Sequence, residues 1–250
     1  MVGLLRSSAS LLCFLLFGLG GLLLSLLFLL PLRREQGLKI VLFTWRGLVL
    51  IFRGLGLTAY DCRALEPVRG CVLVANHPSL IDVVLLSVFI PNTFSVAKHG
   101  LLSNPFVGRI VRCFFLPDDS RLLDQAAPLL EAGYNILIFP EGTRSPAGGL
   151  HSFRRGAAQL ALRQGVPIQP VRISQTRRIL GKGQPVWEMG RRRITYTLTS
   201  LPRLFPESQR GKSRHRAAHE LTRKLEELYR GAAASDLSPS AWRPEGLDGV

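Results

Sequence analysis

At 250 residues the chain has room for one good-sized domain and an appendage. Its 32 Lys and Arg against 17 Asp and Glu leave a net charge of +15, which calls for an anionic partner. A mean hydropathy of +0.21, an aromatic content of only 8% and a very apolar N-terminus favour a lipid surface over nucleic acid as that partner.

The first element is an uncharged run of 26 residues between Arg6 and Arg33. Such a helix is about 39 Å long at ~1.5 Å per residue, more than a bilayer core needs. It is too long for a signal peptide and lacks a small-x-small cleavage site. The sequence therefore predicts a membrane span over 8–32, ending at Pro31 and Arg33, although Gly18, Gly20 and Gly21 leave a re-entrant hairpin open. More basic residues follow the run (Arg33, Arg34, Lys39) than precede it (Arg6), which orients the rest of the chain to the cytoplasm. In a bacterium that is the inner membrane. Residues 38–57 carry only Lys39, Arg46 and Arg53, spaced seven apart and so on one narrow helical face. This predicts an interfacial helix, apolar body in the bilayer and cations at the phosphates, with a second span as the alternative. Residues 1–60 thus form a membrane-anchoring part.

From 61 to 230 short apolar runs alternate with helical ones. Strands are predicted over 71–76, 93–98, 113–117, 135–139, 166–174 and 192–200. Helices are predicted over 80–90 (Ser79 as N-cap), 105–112, 120–133, 154–165 and 213–230. The alternation implies an α/β domain, a mixed sheet flanked by helices, with its crevice beyond the carboxyl ends of the strands. The tail 231–250, rich in Ala, Ser, Pro and Gly, reads as disordered. The four scattered cysteines, without a C-x-x-C pair, read as buried thiols of a reducing compartment.

The chemistry is concentrated at two strand ends. In NHPSLID, His77 closes a strand and Asp82 sits in the first turn of the next helix. A carboxylate there can hold one ring nitrogen and leave the other free to accept a proton. That is the base half of a triad, its nucleophile supplied by a substrate hydroxyl. After the strand NILIF comes PEGTRS. A charged Glu141 behind a buried strand must be paired or used, Gly142 permits close backbone approach, and Arg144 offers a fork for phosphate.

With these residues the chain resembles the membrane lysophospholipid acyltransferases, the glycerol-phosphate and 1-acylglycerol-3-phosphate acyltransferase group. Four blocks match in order: NHPSLID (76–82), VAKHGLLSNPFVG (96–108), FPEGTRS (139–145) and VPIQPV (166–171). The resemblance covers roughly 68–175 and implies transfer of an acyl group from acyl-CoA or acyl carrier protein to a lysophospholipid hydroxyl, most simply that of 1-acyl-sn-glycerol-3-phosphate. It makes His77 the base and Asp82 its orienting partner. Glu141, Gly142, Thr143 and Arg144 would bind the acceptor, with Lys98 and the loop through Gly108 framing its site. No metal or other cofactor is implied.

One block departs from the family. Where an arginine is usual after the third strand, this chain has Pro117, Asp118 and Asp119. Two acids repel phosphate, so either Arg109, Arg112 or Arg121 compensates or the acceptor belongs to a specialised pathway of the aryl-polyene or ornithine-lipid type. Two other classes remain: a lipid hydrolase, with water or Ser79 as nucleophile, which no G-x-S-x-G elbow supports, and a non-catalytic basic membrane or nucleic-acid binder, in which the His/Asp and Glu/Arg blocks would lack a purpose. His215 and His219 lack a third ligand and read as part of a solvated helix, as His99 and His151 read as surface residues. Residues 172–230 carry 15 Lys and Arg against 5 Glu, a face for solvent, anionic lipid or acyl carrier protein.

Overall fold

The computed structural model describes residues 2–27, 34–97, 100, 103, 108–190, 192–206 and 213–236. Seven strands form one sheet: β1 Thr58–Asp61, β2 Val72–Ala75, β3 Thr93–Ala97, β4 Phe115–Pro117, β5 Asn135–Ile138, β6 Ile168–Gln175 and β7 Ile194–Ser200. Their order is β1-β7-β6-β2-β5-β3-β4. Every pairing is parallel except β6 with β7. The helices are α1 Val2–Leu27, α2 Arg34–Gly54, α3 Asp82–Phe89, α4 Gly108–Phe114, α5 Leu122–Glu131, α6 Gly156–Gln164 and α7 Arg214–Asp236.

The central strands are short, apolar and buried throughout, as parallel strands covered on both faces must be. Their residues divide by alternation. Val72, Val74, Ile136 and Ile138 meet Ala157, Ala158, Leu221 and Leu225 of α6 and α7. Leu73, Ala75 and Leu137 meet Leu85 and Leu86 of α3 and Leu48 and Phe52 of α2. From α7, the buried Tyr229 donates its hydroxyl to the Val74 and Val171 carbonyls at 2.7 and 2.9 Å, joining β2 to β6.

The N-terminal part differs from the sequence reading. Residues 28–32 of the expected span lie outside those described, and among the described residues no helix is long and apolar enough to cross a membrane. Part of α1 packs on the domain instead: Ser10 donates to the Val186 carbonyl at 3.2 Å, and the Phe14 ring lies 5.4 Å from that of Phe52. The apolar body of α2 is not turned to a bilayer either. Leu38, Val41, Leu48, Val49 and Phe52 are buried in the protein core. Only the outward stripe is free, where Lys39, Arg46 and Arg53 run beside the exposed Phe43 and Leu50. Periodicity showed an apolar body but could not say whether lipid or protein covers it.

Smaller differences have local causes. β1 begins at Thr58, so the 60/61 boundary falls inside a strand too short and polar to be read from sequence. Cys113 and Phe114 close α4, which shortens β4 to Phe115–Pro117. Helix α7 runs to Asp236, so 231–236 is helical rather than disordered, and 237–250 lie outside the described residues. Of the cysteines, Cys71 is buried and the other three are partly exposed; all four are free.

Candidate active site

β2 delivers its last residues to the carboxyl edge of the sheet. There Asn76 continues the strand with its side chain, donating to the Ile173 carbonyl and accepting from the Ile173 amide, both at 2.8 Å. His77 follows. Its Nδ1 lies 2.8 Å from Asp82 Oδ2, and its ring stacks on Phe139 at 4.2 Å. Asp82 is fully buried and also accepts from the Ser79 amide at 2.7 Å and the Ser79 hydroxyl at 2.6 Å. A carboxylate gripped by such donors can only accept, so the imidazole proton sits on Nδ1 and Nε2 keeps its lone pair. Ser79 therefore does not cap α3. The cap position is Ile81 without a side-chain bond, and Ser79 fixes Asp82. Burial, reinforced by the Asp82 charge, pushes the Tyr196 phenol beneath this group far above its usual range, so it stays neutral.

The loop after β5 is locked to His77 through Glu141. The Glu141 Oε1 accepts from the His77 amide at 3.2 Å and the Ser145 hydroxyl at 2.5 Å; Oε2 accepts from the His151 amide at 2.9 Å. The Ser145 amide returns a bond to the His77 carbonyl at 2.7 Å, and Ser145 Oγ accepts from the His77 amide at 3.1 Å. A buried carboxylate is tolerated because every bond it accepts is supplied by protein. Glu141 thus ties the two motif blocks together and turns away from the pocket that its neighbours line.

Gly142 has φ +65°, and a Cβ there would stand 2.8 Å from Arg154 Cζ. The glycine is required twice, by its left-handed backbone and by the Arg154 guanidinium against it. Arg144 donates through Nη1 to the carbonyls of Leu180 and Gly181, both at 3.0 Å. The Leu180 carbonyl also accepts from the Leu80 amide, which closes the loop over the His77 segment. His77, Gly142, Thr143, Arg144 and Arg154 help line a pocket of about 680 Å³. Phe14 and Phe17 of α1, Trp45 and Leu48 of α2, Ile81, Val84 and Phe115 form its apolar walls.

Of the residues singled out from sequence, the fold gathers His77, Asp82, Glu141, Gly142, Thr143 and Arg144 within one site. Lys98 lies outside the described residues, as does His99. Gly108 is buried at the start of α4 and is not among the described residues lining the pocket. Arg121, a suggested substitute for the absent arginine, is held by Asp119, with Nη2 to Oδ2 at 2.7 Å. Arg154, Asn76 and Ser145 were missed. The signal for Arg154 was its place at the head of α6, a short step from PEGTRS; for Asn76 it was adjacency to the histidine. Among the described residues no group of three or more His, Cys, Asp or Glu could hold a metal ion.

Residues 58–174 match the Acyltransferase family. The 1-acyl-sn-glycerol-3-phosphate acyltransferase of Pseudomonas aeruginosa is 32% identical over 57% of this chain and 60% of its own length. Human 1-acyl-sn-glycerol-3-phosphate acyltransferase beta is 34% identical over 48% and 47%. The lyso-ornithine lipid O-acyltransferase of P. aeruginosa is 37% identical over 44% and 45%. The chain thus spans about half to three fifths of the length of these relatives. The crystal structure of PlsC, the 1-acyl-sn-glycerophosphate (LPA) acyltransferase of Thermotoga maritima, superposes with a TM-score of 0.65 at 25% identity, covering 95% of this chain and 99% of that one. The chain is thus similar, in a segment matching the Acyltransferase family and in fold, to 1-acyl-sn-glycerol-3-phosphate acyltransferases.

Proposed function

We propose that this protein moves an acyl group from a thioester, on coenzyme A or acyl carrier protein, to the hydroxyl of a lyso-lipid with an anionic head group, in the manner of phospholipid biosynthesis. The observation that carries the reading is the His77–Asp82 pair at 2.8 Å, with His77 lining a largely apolar pocket that two arginines also line. In this reading His77 Nε2 takes the hydroxyl proton as that oxygen attacks the thioester carbonyl. The tetrahedral oxyanion then collapses, the C–S bond breaks, and the departing sulfur receives the proton from the imidazolium. Asp82 stabilises that imidazolium. The Gly142 amide is bonded to the Phe139 carbonyl at 3.0 Å. The Thr143 and Arg144 amides have no protein partner among the described residues, which makes them the oxyanion donors of choice. The apolar pocket would hold the acyl chain, and Arg144 with Arg154 the anion of the acceptor. Lys98 and Gly108 remain proposed as framing residues on the strength of the motif alone.

The simplest acceptor of this class is 1-acyl-sn-glycerol-3-phosphate. A specialised acceptor of the ornithine-lipid kind is the second reading, favoured by Asp118 and Asp119 in place of the usual arginine and by the similarity to a lyso-ornithine lipid acyltransferase. The protein would work at the cytoplasmic surface of a membrane. What supports this is the row of exposed leucines on α1 (Leu5, Leu12, Leu15, Leu16, Leu19), together with the exposed Phe43 and cations of α2. Labelled acyl thioester incubated with a panel of lyso-lipids tests the reaction. Diacylated lipid and free thiol in equal amounts are expected; thiol release without a new ester would identify a hydrolase instead.

A further inference from the structure

Strand order places an imidazole, a guanidinium and a carboxylate in sequence across the sheet. His77 follows β2, Arg144 follows β5, and Asp118 follows β4, with β3 between the last two. Asp118 lines the same pocket as His77, Arg144 and Arg154, and its amide is pinned to the Ala97 carbonyl at 3.0 Å. Its neighbour Asp119 is neutralised by Arg121. The Asp118 carboxylate has no partner among the described residues, and neither has the Arg154 guanidinium; Arg144 has donors to spare beyond Nη1. A pocket that holds a free carboxylate and free guanidinium groups without bonding them to each other is set up for a ligand with both signs of charge.

We infer that Asp118 is a specificity residue for an acceptor whose head group carries an ammonium beyond its anion, a zwitterionic lyso-lipid. The inference rests on the acyl-transfer reading above. The order of groups across the sheet, base then guanidinium then carboxylate, matches the order hydroxyl, phosphate or carboxylate, ammonium along such a molecule. β2 and β4 are three strand spacings apart, roughly 14 Å at ~4.8 Å each between backbones. A bare phosphomonoester at Arg144 ends short of Asp118, whereas an ethanolamine or amino-acid head extends toward it. A dianion would also leave the Asp118 charge unanswered.

The test compares lyso-lipids with the same hydroxyl and acyl chain: 1-acyl-glycerophosphoethanolamine and 1-acyl-glycerophosphoglycerol. Both carry a single phosphodiester charge, and only the first has an ammonium. The full-length protein is expected to have the higher kcat/KM for the ethanolamine lipid. Asp118→Asn should cut that preference about fivefold, the upper size of a solvent-accessible ion pair, and Asp118→Glu should restore it. An equal or reversed preference in the wild type, or a ratio unmoved by Asp118→Asn, overturns the inference while acyl transfer itself stands. Absence of any ester product from the wild type with every lyso-lipid overturns the transfer reading and this inference with it.

Discussion

Asp82→Asn separates the chemical role of the carboxylate from its structural one. Asp82 is fully buried and accepts three short bonds, from His77 Nδ1 at 2.8 Å, the Ser79 amide at 2.7 Å and the Ser79 hydroxyl at 2.6 Å. Asparagine has the same shape but one acceptor oxygen. Placed where Oδ2 stands, that oxygen keeps the Ser79 amide and the Nδ1 proton, and its NH2 meets a serine hydroxyl that can rotate to accept. The fold should therefore survive, with melting within a few degrees of wild type, since a buried charge has been removed along with one good bond. The catalytic loss is large because the imidazolium formed during transfer loses its counter-charge and the tautomer is no longer enforced. The rate should fall about 10²- to 10⁴-fold in kcat with little change in KM for the lyso-lipid. Steady-state acyl transfer from a labelled thioester in detergent micelles, read beside a thermal melt, gives both numbers. A kcat within threefold of wild type would refute the assignment of Asp82 as the partner of the base. Asp82→Ala should behave differently, stranding the buried Ser79 amide at about 1–3 kcal/mol of stability as well.

Gly142→Ala forces a side chain into φ +65° and to 2.8 Å from Arg154 Cζ; about 1–2 kcal/mol of stability should be lost, with a raised KM for the anionic acceptor as Arg154 is displaced. Tyr229→Phe removes the donor that joins the Val74 and Val171 carbonyls, so a denaturant titration should show about 1–2 kcal/mol of destabilisation and kcat should hold. Replacing the exposed Leu12, Leu15 and Leu19 of α1 with serine should lower sedimentation with anionic vesicles by at least tenfold, at about 1 kcal/mol or more per leucine side chain. Unchanged sedimentation would remove α1 from the membrane-binding surface.

The elements with one physical explanation were legible. VLVA and NILI are apolar, short and bounded by polar residues, and they are the two central strands. The ends of these strands carried the chemistry that the sheet then brought together across 64 residues of chain. Glu141 was legible as a residue that must be paired, but its partners were not, because its three bonds come from two backbone amides and a serine hydroxyl spread over 77–151. Arg154 escaped notice because its contact is with a glycine, which leaves no side-chain pattern. Helix α2 was misjudged for the opposite reason: leucine and phenylalanine at helical spacing look alike whether α2 covers a sheet, as Leu48 and Phe52 do, or a bilayer. Charge gave the better guide there, since Lys39, Arg46 and Arg53 all lie on the face left exposed.

The central claim is that one free imidazole nitrogen does the chemistry. His77→Ala, purified alongside wild type and shown by circular dichroism to be folded, should form the acyl ester from thioester and lyso-lipid about 10²- to 10⁴-fold more slowly. Ester formation within tenfold of the wild-type rate would contradict the account.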